Sequence, residues 1–247
     1  MFVLYLDIGN SRIKWAYRQQ QAWVSGCCDE AQFFSLEWPE HPAHVVVSCV
    51  RDRALLQQRL QQQYGDDLIW LSTPVSEYPL FHHCYADHSR LGVDRWLAML
   101  GARRQHPGNL LVADAGTALT LDLLSEDHHH LGGWIVPGLA LAQQSLFQQT
   151  QRVNPFADEK DTDSLQPGCS TRACVASGAH RQLLSLVQSV QCDYPDFALF
   201  VCGGDGEWLS LALRQGGAFS SPHSIISYQP HLIFEGMESL CAGSFLP

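Results

Sequence analysis

The sequence predicts an α/β protein built as two related halves around a cleft. Three observations carry this. An apolar, β-prone run at residues 2–6 leads into Asp7-Ile8-Gly9-Asn10, and the same pattern returns at residues 110–113 with Asp114-Ala115-Gly116-Thr117, about half the chain later. Each Asp-x-Gly turn is followed by a second strand-like run, residues 13–17 and 119–124. Between and after these hairpins, short apolar runs alternate with stretches of helical spacing, the mark of α/β layering. A repeat of this kind reorganises the reading of the whole chain. The expected halves are residues 1–106 and 107–247.

The elements follow in order. Residues 2–6 and 13–17 are apolar and β-prone, and the Gly, Asn and Ser between them are turn formers, so a hairpin is expected. Val45-Val46-Val47-Ser48-Cys49-Val50 reads as a buried strand. Ala54–Tyr64 has helical spacing with a glutamine-rich polar face, Leu68–Leu71 is a short strand, and residues 95–104 read as a helix. In the second half, residues 110–113 and 119–124 are strands and 125–130 a turn leading into Leu131-Gly132-Gly133-Trp134-Ile135-Val136. After Pro137-Gly138, Leu139–Gln149 is helical. Residues 154–168 are polar and read as a mobile connection. A long helix is expected over residues 171–190, a strand over 197–202, a glycine-rich turn at 203–206 and a helix over 208–214. The reading assigns no element beyond Arg214.

Bulk properties exclude several classes. With 46% hydrophobic and 16% charged residues the chain is globular. No apolar run reaches the roughly 18–20 residues of a bilayer span. The first seven residues meet an acid early and read as a strand, not a signal peptide. A formal net charge of −10 argues against nucleic acid as a partner. Arg51-Asp52-Arg53 and Arg103-Arg104 are the only candidate basic patches, and both read as helix surface. Nine cysteines, irregularly spaced and without C-x-x-C, point to free thiols and a cytoplasmic protein. His128-His129-His130 reads as an exposed hairpin turn, and His82-His83 beside Cys84 lacks further ligands at zinc spacing.

The candidate chemistry lies in the turns. Glycine lets backbone N–H groups approach an anion, hydroxyl and amide side chains donate to phosphate oxygens, and an Asp can hold a cation or its water. Lys14 adds a point charge. The pattern is not a Walker A loop, and it is not a dinucleotide fingerprint, since a strand follows the glycines. In Leu91-Gly92-Val93-Asp94-Arg95-Trp96, Asp94 suits a general base and Arg95 a carboxylate clamp; the same pair would also serve as a helix start with a surface cation. Gly203-Gly204-Asp205-Gly206 suits close approach of an adenine or ribose, or a plain strand–helix connection.

At this point the motifs resemble a family. Asp7-Ile8-Gly9-Asn10-Ser11-Arg12-Ile13-Lys14 resembles the first phosphate motif of type III pantothenate kinases, D-x-G-N-[TS]-x-x-K. Gly92-Val93-Asp94-Arg95 is similar to their G-x-D-R substrate motif. Asp114-Ala115-Gly116-Thr117-Ala118-Leu119-Thr120 is similar to their second phosphate motif, and residues 132–138 to G-G-x-I-x-P-G. The resemblance implies an actin-like fold of the acetate and sugar kinase, heat-shock protein and actin superfamily. It implies ATP-dependent phosphorylation of pantothenate, the first step of coenzyme A synthesis, by a homodimer using Mg²⁺ and a monovalent cation, K⁺ or NH₄⁺. It implies that Asp94 accepts the proton, that Asp7, Ile8, Gly9, Asn10, Ser11, Arg12, Ile13, Lys14 and Thr117 bind ATP, and that Asp114 ligates the monovalent cation. Tyr85, Gly92, Val93, Asp94, Arg95 and Thr171 would line the pantothenate pocket, with Thr171 acting across the dimer interface. Ser11 stands where threonine is commoner, His88 where proline is usual, and Ser170 where asparagine is expected. A regulatory protein on the same fold, or a sugar kinase or polyphosphate phosphatase of the superfamily, are the competing classes.

Overall fold

The computed structural model describes residues 1–9, 12–50, 53–72, 81–150, 152–153, 155–160, 162–215 and 225–242. The chain divides into two compact units. One comprises Met1–Pro107 with His231–Pro247, the other Gly108–Pro230.

The first unit is built on a five-stranded sheet in the order β3-β2-β1-β4-β5. β1 (Val3–Ile8) pairs antiparallel with β2 (Ile13–Gln19), and β2 with β3 (Ala22–Cys28). On its other side β1 pairs in parallel with β4 (His44–Cys49), and β4 with β5 (Leu68–Leu71). The central strands β1 and β4 are apolar on both faces because helices or loops cover both, as parallel pairing requires. Leu4, Leu6, Ile8, Val45 and Val47 form a core with Leu56 and Leu60 of α2 (Ala54–Tyr64). Burying each such side chain stabilises by about 1.5–3 kcal/mol. A four-residue helix, α1 (Glu30–Phe33), is fixed by a capping box in which Asp29 and Gln32 satisfy each other's backbone N–H groups. It drives Phe33 into this core.

α3 (Val93–Gln105) carries the G-x-D-R segment at its start, with Gly92 as N-cap. At its other end the Arg103 side chain donates to the His106 carbonyl, satisfying a group the helix leaves open. α3 packs against α7 (Leu232–Ala242) through two glycines. A Cβ on Gly101 would overlap the Leu232 carbonyl, and one on Gly236 the Leu97 carbonyl. Backbones can meet this closely only where side chains are missing. This docking explains why the C-terminal segment belongs to the first unit, although the sequence reading placed it with residues 107–247. Arg18 and Arg104 both reach Glu238 of α7, at 3.1 and 2.9 Å.

The second unit repeats the architecture. Its sheet runs β8-β7-β6-β9-β10. β6 (Leu110–Ala115), β7 (Ala118–Leu124) and β8 (His130–Pro137) form the antiparallel meander, and β9 (Ala198–Cys202) and β10 (Ile226–Tyr228) add in parallel. Strand for strand this is the order of the first sheet, so the duplication read from the two Asp-x-Gly turns extends through five strands. α4 (Leu139–Gln149), α5 (Thr171–Asp193) and α6 (Gly206–Gln215) complete the unit. α5 starts at Ser170, whose hydroxyl accepts from the Ala173 N–H at 3.2 Å. Its Leu183, Leu184 and Val187 face Leu111, Leu121 and Leu199 of the sheet.

One expectation is corrected here. The histidine run is not exposed throughout, because His130 opens β8 with 2% exposure and its Nε2 lies 2.8 Å from Asp122 Oδ1. Only His128, at φ 64°, and His129 make the turn. A buried carboxylate requires such a partner. All nine cysteines are free, as expected.

Candidate active site

The first hairpin closes by a hydrogen bond from Gly9 N–H to the Arg12 carbonyl at 3.1 Å. Ile8 and Ile13 face each other at its base and are buried in the core, so what they offer a ligand is backbone. Asn10 and Ser11 lie outside the described residues. Asp7 sits one residue earlier, 5% exposed, between two neighbours on the same face of the sheet. Lys14 is its antiparallel partner, with Nζ 3.8 Å from Oδ2. Ser48 is its parallel partner on β4, and the Ser48 hydroxyl donates to Oδ1 at 2.9 Å. Arg12 is exposed at the turn. Arg53, read from sequence as helix surface, instead donates to the Gly9 carbonyl at 3.3 Å, while Arg51 and Asp52 lie outside the described residues. Arg103 and Arg104 do stay with their own unit, on His106 and Glu238.

The substrate segment is compact. Leu91 and Val93 are buried and fix the start of α3. Asp94, in the first turn, folds back so that Oδ1 accepts the Arg95 N–H at 2.8 Å. That places its negative charge at the positive end of the helix. A Cβ on Gly92 would crowd the same oxygen. Arg95 is 6% exposed, and its guanidinium donates to the Tyr85 hydroxyl at 2.9 Å. Four of the residues expected in the pocket (Tyr85, Gly92, Asp94 and Arg95) are therefore brought together, and Val93 anchors them.

In the second unit the hairpin is one residue tighter, closed by Gly116 N–H to the Ala118 carbonyl at 3.0 Å. Thr117 is exposed at its tip. Asp114 pairs with Thr120 of β7 and Cys202 of β9. Two further turns close on this hairpin. The Gly138 N–H donates to the Thr117 carbonyl at 3.0 Å, and the Asp205 N–H to the Ala115 carbonyl at 2.9 Å. Gly203, at φ +89°, leaves no room for a side chain against Asp114 Oδ1 and the Ala115 carbonyl. Burial raises the Asp205 carboxyl above its ordinary pKa, partly opposed by His180. His180 is itself buried, with Nδ1 donating to the Ala176 carbonyl at 2.8 Å and its ring against Trp208. Thr171 opens α5 and borders a cavity of about 1210 Å³, together with Leu146 and Cys174. Among the described residues no cluster of three or more His, Cys, Asp or Glu side chains could hold a metal ion.

Sequence reasoning gave no role to Ser48 or His180 and read Arg53 only as helix surface. Ser48 alone had a local signal, a hydroxyl following three valines in a buried strand.

The duplicated sheet, a meander extended by two parallel strands, defines a protein of the actin-like ATPase fold. The likeness to solved structures agrees. A Campylobacter jejuni protein assigned to the Baf family of transcriptional activators matches with TM-score 0.57 and 22% identity, over 98% of this chain and 97% of that one. A Sinorhizobium meliloti protein assigned as a 2-dehydro-3-deoxygalactonokinase matches with TM-score 0.57 and 11% identity, over 98% and 99%. The family is given by sequence: the model of the type III pantothenate kinases matches residues 3–192, and the chain belongs to that family. A type III pantothenate kinase of Pseudomonas fluorescens strain Pf0-1 is 34% identical over 97% of this chain and 98% of its own. One from Teredinibacter turnerae is 33% identical over 95% and 96%.

Proposed function

We propose that this protein transfers the γ-phosphoryl group of ATP to the primary hydroxyl of pantothenate, giving 4′-phosphopantothenate and ADP. The observation that carries this reading is the Tyr85–Asp94–Arg95 cluster at the start of α3. There a carboxylate held by a helix terminus stands beside a buried guanidinium. The hydroxyl oxygen forms the new P–O bond, the bond to the bridging oxygen of ADP breaks, and the proton passes to Asp94. Arg95, positioned by Tyr85, would take the pantothenate carboxylate, and Gly92 and Val93 would border the substrate. Phosphoryl transfer needs positioning and charge neutralisation more than covalent chemistry.

The first hairpin suits a polyphosphate. Gly9 presents backbone without a Cβ, and Lys14 stands beside Asp7. Asn10, Ser11, Arg12 and the backbone of Ile8 and Ile13 would complete that grip. Asp7, already tied to Ser48 and facing Lys14, fits the holding of Mg²⁺ through water. Asp114 has uncharged pair partners, and the Ala115 and Thr117 carbonyls beside it are committed to protein donors. Its carboxylate is then the group to hold a monovalent cation, K⁺ or NH₄⁺, and Thr117 would contact ATP. Either ion, when bound, supplies charge that offsets phosphate repulsion. Thr171 would act in a homodimer. Leu141 and Leu146 of α4 are 41% and 44% exposed and offer apolar surface to a second copy. The reading includes a cytoplasmic site of action; among the described residues no helix is long and apolar enough to cross a membrane.

The test is ADP release with Mg²⁺ and ATP, with and without pantothenate. Turnover that requires pantothenate is expected. ATP hydrolysis indifferent to pantothenate, from folded protein, would remove the proposal.

A further inference from the structure

We infer that His88 is a positioning residue for the carboxylate clamp, its ring braced on His83 so that Tyr85 is held where it meets Arg95. The inference rests on the proposed pantothenate reading of that clamp. It starts from a backbone that does not ask for histidine. Asp87, at φ −115° and ψ 107°, is extended, and His88 opens a single 3₁₀ turn, His88–Arg90. An extended residue followed by the first position of a turn is the setting that suits proline, since its φ is preset and the N–H it lacks has no partner within the turn. A histidine there leaves the backbone freer, and the order has to come from contacts.

Such contacts are present. Asp87 Oδ1 accepts the Ser89 N–H at 3.1 Å and the Ser89 hydroxyl at 2.6 Å, and Oδ2 lies 3.3 Å from Arg90 Nε, which fixes the turn internally. The His88 ring then meets the His83 ring with centroids 5.9 Å apart and planes at 46°. That separation is within the range of an attractive ring pair. The contact ties the turn back across Cys84, Tyr85 and Ala86 and closes them into a loop. The ends of the wider segment are anchored, with Phe81 2% and Leu91 1% exposed and Phe81 edge-on to Trp96. Its middle is more open, since residues 86–90 are exposed and Tyr85 is half-buried. Among the described residues His88 has no side-chain hydrogen bond and no second ring contact, so the brace on His83 is what its ring contributes. Tyr85 lies inside that loop, and its hydroxyl accepts from Arg95 at 2.9 Å. Loosening the loop therefore loosens the guanidinium proposed to take the pantothenate carboxylate, and leaves the first hairpin as it was.

The experiment compares wild type with His88→Ala, His83→Ala, the two together, and His88→Pro alone and with His83→Ala. It uses calorimetric binding of pantothenate, the two KM values and thermal unfolding. His88→Ala and His83→Ala are each expected to weaken pantothenate binding, and raise its KM, by about three- to tenfold, the scale of one lost ring contact. KM for ATP should stay within about twofold. The double alanine variant should be no worse than either single one, since both remove the same contact. His88→Pro should restore binding to within about twofold, because the backbone is then preset, and in that background His83→Ala should have no effect. Pantothenate binding unchanged in His88→Ala, beside a wild type that binds, overturns this inference alone. So does a loss in His88→Pro equal to that in His88→Ala, the pattern of a ring that touches substrate itself. An equal rise in both KM values with a lowered unfolding temperature, the pattern of a merely structural role, overturns it too. A wild type that binds no pantothenate overturns the substrate reading of the Tyr85–Asp94–Arg95 cluster, and this inference with it.

Discussion

The triads Lys14–Asp7–Ser48 and Thr120–Asp114–Cys202 occupy the same places in the same five-stranded topology, yet they differ in every partner of the carboxylate. In the first, a cation and a buried hydroxyl flank the acid. In the second, the flanking residues are uncharged, and two other turns, at Gly138 and at Gly203–Asp205, close on the hairpin backbone instead. Duplication kept the scaffold and let the chemistry diverge. The lesson is that a repeated Asp-x-Gly does not imply a repeated job. One acid faces a fixed protein charge in its strand partner, and the other has uncharged strand partners, which is why the proposed function gives the cation to the second.

This comparison can be broken or sharpened by substitution. The largest effect belongs outside both hairpins. Asp94→Asn should lower kcat by about 10²–10⁴, the usual worth of a general base, while leaving both cation requirements in place. Steady-state ADP release at saturating substrates measures it, and near-normal turnover would remove Asp94 from the role. Next is stability. Gly203→Ala places a Cβ against Asp114 and Ala115 at a positive φ. Strain and overpacking together should cost roughly 3 kcal/mol in urea unfolding. Among the described residues, a Cβ on Gly9 meets only the Arg12 carbonyl, at 3.6 Å. Gly9→Ala should cost under about 1 kcal/mol of stability and act on Mg-ATP affinity instead. Equal destabilisation by the two would erase the contrast between a hairpin packed by protein and one open to ligand.

The smallest effect concerns pH. Burial, assisted by Arg18, lowers the pKa of His231 in the first unit below its ordinary 6.5. The unfolded chain therefore binds more protons just below that pH, and stability falls as the solution is acidified through the window. The contacts of Glu238 with Arg18 and Arg104 outweigh its burial and lower its pKa below 4.5, so its contribution is lost on further acidification. Asp205, raised by burial, has the opposite sign: its protonated form is favoured on folding, and stability falls as pH rises through the range above 3.8. Melting temperatures between pH 7 and 5 should fall less steeply in His231→Gln than in wild type. Identical slopes would contradict the assignment.

Most of the sheet cores were legible in sequence, because β1, β4, β6 and β9 each carry an apolar run and the Asp-x-Gly turns mark where the pattern restarts. Four elements were not, the four-residue α1 among them. β3 alternates exposed and half-buried residues at a sheet edge, with Gly26 beneath the Trp15 ring, so it lacks the apolar run that announces a strand. β10 has only three residues. α7 is apolar enough to read as a helix, but its home in the first unit depends on two glycines that are 135 positions apart, Gly101 and Gly236. No local pattern carries that. The site divides the same way. Asp7, Lys14, Asp94, Arg95 and Asp114 stood out because motif spacing names them. Ser48, Arg53 and His180 act through contacts that only pairing of distant strands and helices creates.

The most direct test of the account is the cation dependence of pantothenate-dependent ADP release in wild type, Asp7→Asn and Asp114→Asn, titrating Mg²⁺ at fixed K⁺ and K⁺ at fixed Mg²⁺. Asp7→Asn should shift the Mg²⁺ requirement upward and leave K⁺ activation intact, and Asp114→Asn should abolish K⁺ activation with the Mg²⁺ midpoint little moved. The same shift in both titrations for both variants would show that the two carboxylates share one role, and would contradict the account.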